Sequence, residues 1–305
     1  AERYNVERYA DYNEMLKRDD LDIVCVCTPS GAHRDPAVAA AEAGKHVIVE
    51  KPLEITLERC DAIIQACDDA GVRLCAIFNS RFSEGSQLVK RTIDSGRFGV
   101  LTLGDAYIKW YRTQAYYDSG GWRGTWALDG GGALMNQSIH AIDLLQYFMG
   151  PVKAVQAFTD MRAHERIEVE DVAVAVLRFE NGALGVIEGT TTAYPGLLKK
   201  VEISGSKGTV ILEDEDILKW EFDPALPEDA EVHQKFATRK SGGGGAADPR
   251  AISHVNHRRQ MENLIHAIEA GMQQLVDGRE GRKAVEIILA IYQSSREGRV
   301  VHLPL

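Results

Sequence analysis

Apolar residues follow two rhythms along the chain. Over the first hundred residues, short apolar runs alternate with stretches whose apolar positions recur every three or four residues. Leu21-Asp22-Ile23-Val24-Cys25-Val26-Cys27 is a run of strand length that stops at Thr28-Pro29. Residues 36–43 read as a short Ala-rich helix closed by Gly44. His46-Val47-Ile48-Val49 reads as a second buried strand, ending in Glu50-Lys51-Pro52. Thr56 is placed to cap a helix carrying Leu57, Ile63, Ile64 and Cys67 at helical spacing, with Gly71 at its end. A third strand is expected over 72–78. Strand–helix–strand–helix–strand with short joins predicts crossover units and a parallel sheet.

Past residue 100 the rhythm changes. Strand-like stretches cover 154–158, 172–178, 182–191 and 200–203, with turn signals at Asn181-Gly182 and Lys207-Gly208. They predict an antiparallel sheet. One helix over 134–149 precedes these strands, and two more follow, over 256–270 and 281–296. The expected fold class is α/β plus α+β. Residues 1–99 would form a truncated Rossmann-type parallel-sheet domain for a dinucleotide, and 100–305 a substrate-binding and oligomerisation domain with a large open antiparallel sheet. Residues Ala1 to Tyr4 read as the tail of a helix, and no G-x-G-x-x-G turn lies near the start. The sequence is therefore expected to begin inside the fold, after its glycine-rich first unit. Ser241-Gly242-Gly243-Gly244-Gly245 reads as a loop rather than a phosphate cradle, because no strand leads into it.

Composition narrows the classes. A net charge of −10 argues against a nucleic-acid surface, which needs clustered Lys and Arg. No apolar run is long enough to span a bilayer, and the first ten residues lack the apolar core of a signal peptide. All five cysteines precede residue 76 without metal or disulfide spacing, which fits a reducing cytoplasm and no metal site. Cys25 and Cys27 should share one face of their strand as core residues.

Three clusters could carry chemistry, each beyond the carboxyl end of a strand or at a helix start. Thr28-Pro29-Ser30-Gly31-Ala32-His33 either lets backbone approach a ribose or diphosphate or is an ordinary strand-to-helix turn. Lys51, between Glu50 and Pro52, is either a surface charge at a turn or an amine that hydrogen-bonds a reacting hydroxyl. Gly130-Gly131-Gly132 leads into a helix on which Asn136, His140, Asp143 and Tyr147 form one polar stripe, opposite Ile142, Leu145 and Met149. Asn, His, Asp and Tyr suit a wet cleft. Histidine also suits proton transfer near neutrality, although a structural histidine would fit the same pattern. Arg112, Trp122 and Arg123 offer cation and stacking contacts to substrate or cofactor, or simply pack their loops. His257 and Gln260 are weaker candidates.

In this order the clusters resemble the Gfo/Idh/MocA family of glucose–fructose oxidoreductase and inositol dehydrogenase relatives. The likeness includes Ala43-Gly44-Lys45-His46-Val47 leading into Glu50-Lys51-Pro52, the Asn79-Ser80-Arg81-Phe82 turn and Gly278-Arg279-Glu280-Gly281. The resemblance implies an NAD- or NADP-dependent oxidoreductase acting on a secondary hydroxyl of a sugar-like small molecule. Lys51, before a cis Pro52, would hydrogen-bond that hydroxyl, and His140 would serve as acid/base, either being the formal base. Thr28, Pro29, Ser30, His33, Glu50, Lys51, Asn79 and Trp122 would contact the cofactor, and Asn136, Asp143, Arg112 and Arg123 the substrate. Many relatives carry Asp where this chain has Asn136. The Asn-Gln-x-Ile-His form is more similar to the branch that oxidises C3 of UDP-linked N-acetylated uronates than to inositol dehydrogenases. A homodimer or homotetramer through the antiparallel sheet is implied as well. Two rivals stay open: NAD-dependent glycoside cleavage, and a cofactor-free binding or assembly protein.

Overall fold

The computed structural model describes residues 2–237, 246 and 253–305. The glycine run at 241–245 lies outside the described residues.

Three short parallel strands, β1 (Ile23–Val26), β2 (His46–Val49) and β3 (Leu74–Ala76), stand side by side in that order. Val24 lies opposite Val47, and Val47 opposite Leu74. A short helix α1 (Tyr12–Leu16), capped by Asp11, precedes them. Helix α2 (Arg34–Glu42) joins β1 to β2, and its fully buried Ala37, Ala40 and Ala41 let it lie close to its neighbours. Helix α3 (Leu57–Asp69) joins β2 to β3, and the Thr56 hydroxyl accepts from Arg59 N as the cap. Cys60, Ile63, Ile64 and Cys67 form its buried face. Helix α4 (Glu84–Asp94) follows the turn Asn79–Phe82 and ends the first unit.

The expectation for Cys25 and Cys27 fails, because both are exposed. Alternation along β1 gives the covered face to Val24 and Val26 and leaves the cysteines on the other. β1 is the edge strand of its sheet, and the helix that covers Ile48 and Cys75 on that face leaves Cys25 and Cys27 exposed.

The second sheet holds eight strands: β4 (Leu101–Lys109), β5 (Val152–Asp160), β6 (Val172–Phe179), β7 (Leu184–Thr190), β8 (Lys200–Gly205), β9 (Gly208–Glu213), β10 (Asp216–Phe222) and β11 (Val301–His302). Their order is β10-β9-β8-β4-β7-β6-β5-β11. Every pair is antiparallel except β4 with β7, which run parallel, so the purely antiparallel expectation needs that correction. A long crossover places β4 beside β7 at the centre of the sheet. Helices α6 (Ile139–Met149) and α9 (Gly278–Glu297) cover one face. Gly104 admits α6, since a Cβ there would lie 2.5 Å from Met149 Cγ. Two further helices, α5 (Gln114–Asp118) and α7 (Pro227–Ala237), border the sheet. Helix α8 (Val255–Ala270) lies across the three-stranded sheet.

Helix α9 unites the halves. Its Gly278 meets Leu74 of β3, its Gly281 meets Ala76, and its Ser294 hydroxyl accepts from Ala157 N of β5 at 3.1 Å. It starts three residues earlier than periodicity suggested because Asp277 caps it, accepting from Glu280 N at 2.8 Å. No helix among the described residues is long and apolar enough to cross a membrane.

Candidate active site

The carboxyl ends of β1, β2 and β3 open on one edge, so the turns at 27–33, 50–56 and 77–83 are neighbours. In the first turn, Thr28 is exposed and its hydroxyl donates to Ala32 O at 2.8 Å. Pro29 is half-buried and Ser30 buried. His33 is 1% exposed, with one ring nitrogen 2.9 Å from Pro52 O and the other 2.9 Å from Thr28 O. The ring lies between two carbonyl oxygens and ties the first turn to the second.

The second turn carries the lysine, and the Lys51–Pro52 bond is cis. Lys51 Nζ donates to Asn136 O at 2.6 Å and lies 3.3 Å from Asn136 Oδ1. Burial pulls the ammonium below its ordinary pKa, against the carboxylates of Glu50 and Asp129, while Arg112 lowers it further. Glu50 lies 3.6 Å from His257 Nε2. Burial raises its carboxyl, but His257 and Lys51 outweigh that and leave it below the usual range. The other His257 nitrogen lies 2.9 Å from Asn79 Nδ2, which links the third turn to α8. Gln260 has a different task. Its amide donates to Ala76 O at 2.7 Å and accepts from Phe78 N at 3.1 Å, continuing the hydrogen bonding of β3.

The polar helix does not begin as an α-helix. Residues Ala133–Ser138 form a π-helical turn, and α6 proper starts at Ile139. Such widened turns recur at functional sites. Glu170 sets this one, accepting from Gly132 N at 2.9 Å, Leu134 N at 2.8 Å and the Tyr292 hydroxyl at 2.9 Å. Burial pushes its carboxyl up to about 7 even against those three donors. Gly132 is required here, because a Cβ would fall 1.8 Å from Glu170 O.

The predicted stripe splits in two. Asn136 meets Lys51, and His140, one turn on, feels its charge. Asp143 is fully buried and grips the Arg81 guanidinium with both oxygens, at 2.8 and 2.6 Å. Tyr147 lies under the same guanidinium, 4.4 Å from ring centroid to Cζ. A substrate role for Asp143 is thus corrected: it neutralises a buried cation from the Asn79–Phe82 turn. His140 packs edge-on against Phe78, with centroids 5.8 Å apart, and its buried Nδ1 has no hydrogen-bond partner among the described residues. Burial, then Lys51, Lys199 and His257, hold its pKa well below 6.5. The imidazole is neutral at pH 7.

Arg112 is turned inward as well. It is 3% exposed and donates to Tyr111 O, Ala246 O and Gln137 Oε1, each at 2.9 Å. Arg123 lies at the rim, 4.9 Å from the ring centroids of both Trp122 and Tyr116. Tyr116 in turn accepts from Gln137 Nε2 at 3.0 Å. Two carboxylates bonded to this helix start were not singled out from the sequence. Asp129 is 1% exposed and accepts from Asn136 Nδ2 at 2.5 Å, and Glu170 is described above. Asp129 stands directly before the three glycines, which was the available signal. Glu170 had none, because it acts on the helix from far along the chain.

This edge suits the nicotinamide half of a dinucleotide. Thr28, Pro29, Glu50 and Asn79 present hydroxyl, backbone, carboxylate and amide groups, and His140 Nδ1 is buried and unpartnered. No group of three or more His, Cys, Asp or Glu among the described residues gathers as a metal site.

A parallel nucleotide-type sheet set against an open, mostly antiparallel sheet, with Lys51, Asn136 and His140 between them, defines a class of two-sheet α/β proteins. The chain belongs to the Gfo/Idh/MocA family. Residues 1–78 match its model for the oxidoreductase family, NAD-binding Rossmann fold, and residues 86–211 its C-terminal domain model. The chain is 37% identical to the WlbA dehydrogenase from Bordetella pertussis, crystallised with NADH and UDP-GlcNAcA. That match has a TM-score of 0.87 and covers 97% of this chain and 84% of that one. It is 32% identical to myo-inositol 2-dehydrogenase from Thermotoga maritima over 70% of this chain and 63% of that protein. To levoglucosan dehydrogenase from Pseudarthrobacter phenanthrenivorans it is 30% identical, over 70% and 61%. The match thus spans about three-fifths of these two curated relatives.

Proposed function

We propose that this protein is an NAD- or NADP-dependent dehydrogenase that oxidises a secondary ring hydroxyl of a sugar or sugar nucleotide, with C3 of a UDP-linked N-acetylated uronate as the favoured position. One observation carries the reading. Lys51 donates to Asn136 O at 2.6 Å, 85 positions away, at the sheet edge where ligands bind in α/β folds, and its charge is among those that lower the His140 pKa one turn further on. Bound nicotinamide would supply the hydride acceptor, held by Thr28, Pro29, Glu50 and Asn79. His140, neutral near pH 7, accepts the hydroxyl proton. Lys51 keeps one ammonium N–H beyond the two given to Asn136, and with it stabilises the alkoxide as it forms. Trp122 and Arg123 at the rim suit the remainder of the substrate. Likeness to WlbA and the presence of Asn136 favour a sugar nucleotide, whereas likeness to the Thermotoga enzyme favours an inositol.

Five apolar side chains exposed on the outer face of the large sheet, Leu103, Phe158, Val174, Val176 and Leu184, support a homodimer or homotetramer joined there. The deciding experiment follows reduced nicotinamide by absorbance against a panel of inositols, free sugars and UDP-sugars. Reduction with a UDP-linked uronate is expected. Net glycoside hydrolysis, or no reduced cofactor with any member, would overturn the reading.

A further inference from the structure

We infer that Asp129 is a positioning residue for Lys51, acting through the side-chain amide of Asn136. This inference rests on the dehydrogenase reading above and extends it.

Hydrogen-bond polarity decides which way the Asn136 amide faces. Asp129 is 1% exposed; one oxygen accepts from Gly124 N at 2.9 Å and the other from Asn136 Nδ2 at 2.5 Å. An ionised carboxylate only accepts, so it fixes the amide with its NH₂ toward position 129. Asn136 Oδ1 is then presented to Lys51 Nζ at 3.3 Å and to Gln137 Nε2 at 3.0 Å. Turned over, the amide would set oxygen against carboxylate and NH₂ against ammonium, two repulsions in a dry site. Lys51 is faced by Glu50, Asp129 and Arg112, and Asp129 by Lys51 and Arg123, while His140 feels Lys51. Asp129 thus does two things for Lys51. It orients the oxygen that the ammonium meets, and its negative charge favours the ammonium form. Burial at the same time raises Asp129 itself to about 6, so its help is complete only above that pH.

The test exchanges donor and acceptor. In Asp129→Asn the amide of Asn136 loses its director. In the double variant Asp129→Asn/Asn136→Asp the carboxylate moves one hydrogen bond closer to Lys51, and the bond between positions 129 and 136 persists with its polarity reversed. The first readout needs no activity: the pH dependence of Lys51 acylation by trace acetic anhydride in the ligand-free protein, read by mass spectrometry. Its midpoint should fall by roughly one pH unit or more in Asp129→Asn and return in the double variant. The second readout is turnover, which should drop by about tenfold or more in Asp129→Asn with KM within about threefold, and recover in the double variant.

An unchanged midpoint in Asp129→Asn, or a double variant no better than the single one, overturns the inference. Should Asp129→Asn fail to fold, Asn136→Asp alone decides. Two carboxylates in such contact must share a proton, so an infrared carboxylic-acid band should persist at about pH 8, and its absence overturns the inference. If the wild-type protein reduces no cofactor with any sugar, the dehydrogenase reading falls, while the acylation comparison still decides the link between Asp129 and Lys51.

Discussion

Asp143→Ala separates two meanings that the same helix face can have. Asp143 is fully buried and supplies both acceptors for Nε and Nη2 of Arg81, itself 1% exposed. The third guanidinium contact, Nη1 to Glu280 at 2.9 Å, reaches a carboxylate that is 29% exposed. Removing Asp143 therefore leaves a buried cation with one partially wet partner and two unsatisfied N–H groups. Breaking a buried pair from one side costs about 3–5 kcal/mol, a large share of the roughly 5–15 kcal/mol that holds a typical domain together. Asp143→Asn keeps one acceptor and should cost less. Urea unfolding followed by fluorescence of the four tryptophans measures the loss, with an unchanged slope showing that the native state itself is intact. KM of the folded fraction should not move. A loss under about 1 kcal/mol, or a raised KM at normal stability, would refute the structural assignment and return Asp143 to the substrate site.

Other outcomes follow from the same geometry. Lys51→Ala should lower turnover by about 10²–10³ with the fold retained, measured as reduced-cofactor formation; near-normal turnover would remove its role. Because His140 is held well below 6.5, kcat/KM should stay flat as the pH is lowered from 7.5 to about 6.5 and fall only below, and His140→Asn should lower the plateau. Glu170 is raised from 4.5 to about 7, so its stabilising contribution is fully present below about 4.5 and lost as pH rises through about 7. Unfolding free energy of Glu170→Gln should lack that slope, and an identical pH profile in both proteins would contradict it. Gly132→Ala places a Cβ 1.8 Å from Glu170 O, and a loss of at least about 2 kcal/mol is expected from thermal or urea unfolding.

Local signals were legible where local physics decides. Thr56 caps α3 as its sequence suggested, and the apolar spacing of Ile63, Ile64 and Cys67 became that helix's buried face. Lys51 stood out from its place at a strand end, but its contact with Asn136 was not legible there. The failures share a cause. Periodicity finds a polar stripe but not what faces it, so Asp143 and Asn136 looked alike although one meets buried Arg81 and the other meets Lys51. Cys25 and Cys27 looked like core because an apolar run does not reveal which face stays uncovered. The π-helical start was hidden because Glu170 imposes it from outside the helix.

The 20-residue helix α9 has a mechanical consequence. With Gly278 and Gly281 seated on β3 and Ser294 on β5, it acts as a crossbar bolted to both sheets. Rotating one sheet away from the other would strip Ala284, Ile288 and Ile291, all fully buried, from one side or the other. The same crossbar holds the sheet edge that carries Lys51 against the helix start that carries Asn136, so their 2.6 Å contact is braced from a distance.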